Sequence, residues 1–591
     1  MKQKLLFLLA LSVFALWRCG PDPQREVAAT TSASETLKDI VERFMAKRAE
    51  VDPYTAMSAG LAITQFPAGS LEEAQAIADF AASLRQDLDS IPVADLTHQE
   101  QLTRHMLREQ LTFFIQGPRF YWLAFDVTPY QAGFMFSQLV PFAFASFTFT
   151  ESSDAEAYLA LARSLANRVN HAAEKLRGQQ TREILLPKPA IPGVQALFGQ
   201  IRNNLPAVLN VGDDRLEALP EDLRAQFKGD LSQLIESELL PAFDGVLGVF
   251  DEAYLQQAPE QVGLGQYPGG LDFYRALVRL HTTLDLTPDE IHERGLAYME
   301  QLDAEMKAIR DSLSFTGSKQ EFHDQLRADE RFYAQSPEAV EAVFETYIKR
   351  VEPLVETYFS LLPKAPYGLK RLDPAAEAGM TFGFYQVPTT ADPMGYYRYN
   401  GSKLDERSMI WAGPLIYHEL VPGHHFQIAL QREHEELPPY RKSGTFTGAF
   451  VEGWANYAAV LTLEMGLLDD PYERYGWLLF DSFITVRLVV DTGLNHREWT
   501  LERARDYMLA NTFQSETEVA SELLRYGTDM PGQALGYKLG MEKILEIRRA
   551  TEARMGEAFD IRAFHAAVIG SGSLPLDRLE NHVNHVLSLE N

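Results

Sequence analysis

The chain of 591 residues is 46% apolar and 23% charged, enough to bury an extensive core, which excludes both a disordered chain and a disulfide-stapled miniprotein. Its 82 acidic against 54 basic residues give a net charge of −28, which repels phosphate backbones at long range and argues against nucleic acid as a partner. One cysteine rules out an intrachain disulfide or a Cys-rich metal site, so any metal would have to be held by histidines and carboxylates.

At the N-terminus, Lys2 and Lys4 precede an apolar run from Leu5 to Trp17, too short to span a bilayer and ordered like a secretory signal. Leu16-Trp17-Arg18-Cys19 then resembles a bacterial lipobox, with leucine at minus three and cysteine at plus one, although Arg18 stands where a small residue is usual. The expectation is a lipoprotein-type signal over residues 1–18 and lipidation of Cys19; an ordinary secretory signal and an uncleaved anchor are the plainer alternatives. Loss of residues 1–18 removes Lys2, Lys4 and Arg18 but no acid, leaving −31. Electrostatic adhesion to an anionic membrane is then implausible, and the lipid would be the only membrane contact. Residues 19–36 read as a flexible tether, which places the protein at the bacterial envelope, on its periplasmic or extracellular face.

Residues 37–591 read as one large unit with room for two lobes, since no Pro/Gly/Ser-rich linker, charge block or fixed-period repeat divides them. From about Thr36 to Ser360 most windows carry apolar residues at helical spacing, as at Tyr158, Leu161, Leu165 and Val169, so the fold class is mainly α. Phe142, Phe144, Phe147 and Phe149 fit a packed core better than a cleft wall. Thr287-Pro288-Asp289-Glu290 supplies an N-cap hydroxyl, a proline at N1 and a glutamate at N3, opening a helix towards Met299. Between residues 380 and 400 the texture changes. Phe382–Val387 and Gly395–Asn400 predict two short strands, a small β element in a helical protein. The second strand could pair with an extended peptide by β-augmentation, bringing Tyr397 and Tyr399 to substrate, or lie inside the sheet. There is no Walker A loop and no Gly-x-Ser-x-Gly elbow, and Pro268 stands where a dinucleotide loop needs its third glycine; nucleotide and serine-hydrolase chemistry lose support.

Three histidines then fall within Tyr417-His418-Glu419-Leu420-Val421-Pro422-Gly423-His424-His425. A standard zincin helix places its two ligands at i and i+4 with glutamate at i+1 as general base. Here i+4 is Pro422. On an ideal helix His424 would lie about 120° from His418, and His425 about 10 Å along the axis, so a straight helix cannot bring either to one metal. Pro422 and Gly423 must bend the chain, and a bend can return His424 or His425 to His418. Glu452, in Val451-Glu452-Gly453-Trp454-Ala455-Asn456, opens a long apolar-periodic helix to about Gly466 and is the candidate third ligand. His434-Glu435 sits in a charged, Pro-flanked stretch and reads as solvated loop.

His418, Glu419, Pro422, Gly423, His424 and Gln427, joined by Glu452-Gly453-Trp454-Ala455, resemble the DUF885 family of bacterial proteins, a domain of formerly unknown function near the gluzincin metallopeptidases. The likeness extends over most of the chain. It takes in Pro268-Gly269-Gly270 with Tyr274, Leu286-Thr287-Pro288, Arg525-Tyr526, Pro531-Gly532-Gln533-Ala534 with Tyr537, and Gly572-Ser573-Leu574-Pro575-Leu576. The resemblance implies a helical, cleft-bearing, zinc-dependent hydrolase, often exported or lipid-anchored. One zinc ion would be held by His418, His424, where the family pattern falls, and Glu452. Glu419 would then be the general base of peptide hydrolysis. Gln427 could orient a ligand or cap the bend. Tyr526 or Tyr537 could steady the oxyanion, and Arg525 could hold a substrate carboxylate; buried structural hydrogen bonding is the other reading for each. The substrate is a peptide or small amide. A zinc amidase or deacylase and a non-catalytic binding lipoprotein are the alternatives, and the base Glu419 beside the ligands speaks against the last.

Overall fold

The computed structural model describes residues 32–377, 383–389, 392–442 and 447–589; the signal segment, Cys19 and most of the tether lie outside them. The protein is mainly helical, 71% helix against 3% strand, as the apolar spacing predicts. Helix starts follow local chemistry. The Thr287 hydroxyl accepts from the Glu290 amide while the Glu290 carboxylate accepts from Thr287, 2.8 Å. This capping box opens a helix that runs past Met299 to Ser312. No described helix is long and apolar enough to cross a membrane.

Two apolar cores organise the chain. One is built mainly from residues between Phe120 and Ile291, and it also takes in Leu488, Leu535 and Leu539. Tyr158, Leu161, Leu165 and Val169 lie on the helix Ser153–Gln180 and are fully buried there. In the aromatic segment Phe144 and Phe149 are buried and Phe147 packs edge-on against Tyr158, whereas Phe142 faces outward. The segment is core rather than cleft wall. The other core joins the N-terminal helices Ala33–Val51, Leu71–Asp89 and His98–Ile115 to most of the chain beyond Met299.

The β element holds three strands rather than two. β1 (Tyr367–Arg371) runs parallel to β3 (Gly395–Tyr399), and β2 (Gly383–Gln386) runs antiparallel to it, giving the order β1-β3-β2. β3 is therefore the central strand. Both its edges are occupied, which removes β-augmentation along it, because an added peptide needs free amide and carbonyl groups.

The remaining helices place the chemistry. Ala412–Glu419 carries His418, His424–Glu433 carries His424, Gly448–Glu464 carries Glu452, and Leu535–Met555 carries Tyr537. The last two cross closely. Gly453 and Gly540 face one another there, and a Cβ on either would collide with the other's backbone.

Candidate metal centre

The break between the two histidine helices is built by Pro422 and Gly423. Proline withholds the amide that would continue the first helix, and Gly423 lies so close to the His418 carbonyl that a Cβ would overlap it. Trp454 fixes the turn from outside, its indole N–H donating to the Pro422 carbonyl, 3.0 Å. The bend brings the His418 and His424 rings to 4.6 Å between centroids at 77°, which no straight helix allows.

Glu452 completes a trio. Its Oε2 lies 3.5 Å from His418 Nε2 and 3.4 Å from His424 Nε2, and the ligand atoms lie within 4.8 Å of one another. These separations are long for a charge-assisted hydrogen bond, about 2.7–2.9 Å, and Glu452 Oε2 is buried without a hydrogen-bond partner. Two donors each about 2.1 Å from one tetrahedral zinc ion stand about 3.4 Å apart. Two imidazoles and a carboxylate are also the donor set of catalytic zinc sites that keep a position open. The residues therefore fit a zinc ion.

Their surroundings reinforce the fit. Asn456, one turn beyond Glu452, accepts with Oδ1 from His418 Nδ1 at 2.9 Å, which assigns the proton to Nδ1 and leaves the Nε2 lone pair facing the trio. Burial works to raise the Glu452 carboxyl, but His424 and His418 outweigh it and hold it well below the usual range. Burial works against protonation of His424, and Glu452 and Glu419 reverse this and raise it. Burial, aided by His424, lowers His418. The Glu419 carboxyl is pushed up to about 7, first by burial and then by Glu452, against the pull of His424 and of the Tyr385 amide that donates to it.

His425 takes a different part. Its Nδ1 lies 3.0 Å from the Tyr385 hydroxyl and its Nε2 3.0 Å from the Ala365 carbonyl, leaving no nitrogen for a metal. Gln427 is buried and donates to Gln431, 2.6 Å, rather than reaching the trio. His434 caps the end of its helix and Glu435 is exposed beyond it.

Of the two candidate tyrosines, Tyr537 is the one tied to the centre, its backbone carbonyl accepting from Asn456 Nδ2, 3.2 Å. Burial and then the charge of Glu452 push its phenol up to about 12, so it is protonated at neutral pH and able to donate. Tyr526 is fully buried with its hydroxyl held between Arg487 Nε, 3.0 Å, and the Glu522 carboxylate. Arg525 pairs with Glu522, 3.3 Å, and donates to Gln533, 2.6 Å. Tyr397 is buried within electrostatic reach of Glu419. Tyr399, expected at substrate, instead donates to Glu341, 2.7 Å. Other motif residues act in the scaffold: Tyr274 donates to buried Asp491, 2.7 Å, which also accepts from the Gly532 amide. A cavity of about 390 Å³, lined among others by Phe113, Arg119, Arg279 and Asp577, contains none of the trio.

Three further residues belong to the surroundings of the site. Asn456 was readable at i+4 from Glu452, on the same helical face. Tyr385 and Arg487 carried no local signal, since each meets the centre only through tertiary packing.

The family model DUF885, described as a bacterial protein of unknown function, matches residues 53–583. No curated protein matches the sequence. Two solved structures share the fold. One, from Colwellia psychrerythraea, has a TM-score of 0.80 and 25% identity and covers 95% of this chain and 100% of its own. Another, from Shewanella oneidensis, has a TM-score of 0.73 and 18% identity and covers 93% and 99%. Each is described as a "putative lipoprotein", the second as of unknown function.

Proposed function

The chain belongs to the DUF885 family, and with the geometry of its candidate metal centre as the guide we propose that it is a zinc-dependent peptide hydrolase. The observation that carries this reading is the spacing of the His418, His424 and Glu452 donors, 3.4 and 3.5 Å, beside a further carboxylate, Glu419, that is not one of them. A zinc ion held there would polarise the scissile carbonyl and acidify the attacking water. Glu419 takes the water's proton and delivers it to the leaving nitrogen. Tyr537, protonated at neutral pH, donates to the oxygen on which negative charge develops. Asn456 keeps His418 in the tautomer that presents Nε2. The same reading places the enzyme at the envelope through a lipid on Cys19; the lipobox-like sequence and the description of both structural relatives support it. A Cys19→Ala chain recovered free of membranes, against a membrane-bound wild type, is the expected result.

The test of activity is turnover of a mixed peptide library read by mass spectrometry. Zinc-loaded wild type should generate new termini, and Glu419→Gln should retain zinc and generate none. Hydrolysis of N-acyl amides with no peptide cleaved would make the protein a zinc amidase or deacylase, and turnover of neither would leave a binding lipoprotein. Stoichiometric zinc in both His418→Ala and Glu452→Ala would remove the metal assignment.

A further inference from the structure

Tyr537 is flanked by two arginines. The guanidinium carbon of Arg487 lies 4.4 Å from the Tyr537 ring centroid, and Arg525 reaches the Tyr537 hydroxyl. Both cations are nearly enclosed, with side chains 7% and 14% exposed. Enclosing guanidinium groups is unfavourable unless each is matched by an anion. Among the described residues the only ion-pair partner of either is Glu522, 3.4 Å from Arg487 and 3.3 Å from Arg525. Their other hydrogen-bond partners are neutral, the Tyr526 hydroxyl for Arg487, and the Gln533 amide oxygen and Tyr537 hydroxyl for Arg525. Arg525 Nε is buried without any partner. Two more carboxylates feel the charge of Arg525 without pairing with it. Asp491 accepts from Tyr274, Asn495 and Gly532, and Asp529 from the Tyr130 and Gln131 amides.

The pair also has an outlet. The guanidinium of Arg525 lies 5.5 Å from the ring centroid of Tyr130, which is 55% exposed. Arg525 thus links a solvent-facing ring to Tyr537, and the Tyr537 carbonyl accepts from Asn456 Nδ2, 3.2 Å, the residue that holds His418 Nδ1. Two cations sharing one carboxylate, with a donor unused, leave this stretch short of one anion.

We propose that Arg487 and Arg525 form a carboxylate subsite beside the metal centre, so that the enzyme selects substrates carrying an anionic group close to the bond cleaved. The group is the α-carboxylate of a peptide, which would make the enzyme trim from the C-terminus, or an acidic side chain. A guanidinium fork suits either by bidentate hydrogen bonding. The inference rests on the peptide-hydrolase reading, and its test separates the two.

Binding is measured by calorimetry on full-length, zinc-loaded Glu419→Gln protein with three peptides of one neutral sequence: the free acid, the C-terminal amide, and the amide carrying one glutamate. The free acid or the glutamate amide should bind roughly tenfold or more tightly than the plain amide, and whichever does identifies the source of the carboxylate. Arg525→Gln in the same background should abolish the difference and Arg525→Lys should restore part of it. Equal binding of the three peptides, or a difference that survives in folded Arg525→Gln, would overturn the subsite; the comparison on the parent protein stands even where that variant fails to fold. Cleavage of all three by wild type at equal rates would overturn the subsite and leave peptide hydrolysis intact. Discriminated binding with no cleavage would support the subsite and remove the hydrolase reading.

Discussion

Five consecutive residues carry much of the candidate metal centre. In Glu452-Gly453-Trp454-Ala455-Asn456 the glutamate faces the two imidazoles, the glycine admits a neighbouring helix, the indole holds the Pro422 carbonyl and the asparagine holds His418 Nδ1. Asn456→Ala removes only the last of these. It should weaken zinc binding about 10- to 100-fold, as loss of such an orienting partner does elsewhere, read by competition with a chelator. Much of this centre was legible as residue types: two histidines, a base and a distant carboxylate. The choice between His424 and His425 was not, because the helical wheel has no meaning across Pro422 and Gly423. The family pattern pointed to His424, and the physical reason lies in Tyr385 and Ala365, which occupy both nitrogens of His425.

Elements were legible in proportion to how local their causes are. The helices announce themselves by apolar spacing and caps, and the Thr287 box closes as its residues dictate. β1 did not, since Tyr-Gly-Leu-Lys-Arg carries only two apolar residues and a glycine, too short a pattern to stand out, and becomes a strand by pairing with β3. The central place of β3 was equally hidden, because strand order is decided by pairing between distant segments. The close crossing of Gly448–Glu464 and Leu535–Met555 depends on Gly453 and Gly540 having no side chains. Gly453→Ala forces the two backbones apart. It should cost about 1–3 kcal/mol of stability, measured by urea denaturation, and should lower turnover more than zinc content, because the separation carries Tyr537 away from Glu452.

For the whole molecule, acid is the expected weakness. Burial lowers His292 and His582 to about 4 and His323 and His565 to about 3, against about 6.5 in an unfolded chain. Between those values the unfolded state binds more protons, so the stability these residues contribute is present above pH 6.5 and is lost as pH falls towards 4. Asp491 opposes them. Burial raises its carboxyl to about 7, so the folded state holds its proton, and that contribution is lost as pH rises through 7. Glu419, also raised to about 7, acts in the same sense as Asp491, and the four histidines outweigh these two carboxyls, so the urea midpoint should be lower at pH 5 than at pH 7.5. The two cores add a mechanical consequence. Leu535 and Leu539 belong to the core that Leu488 shares, whereas Ala534 and Met541 on the same stretch of chain belong to the other. The helix carrying Tyr537 is thus clamped by both bodies, while Ile416, Leu420, Phe426 and Phe450 around the three ligands belong to one. Leu535→Ala should cost about 2–5 kcal/mol and depress turnover with zinc stoichiometry unchanged, checked by elemental analysis beside rate measurements. On the proposed function, ion capture and bond cleavage would in this way be registered to different parts of the molecule: one half could loosen its grip on the oxyanion donor while the other kept its metal.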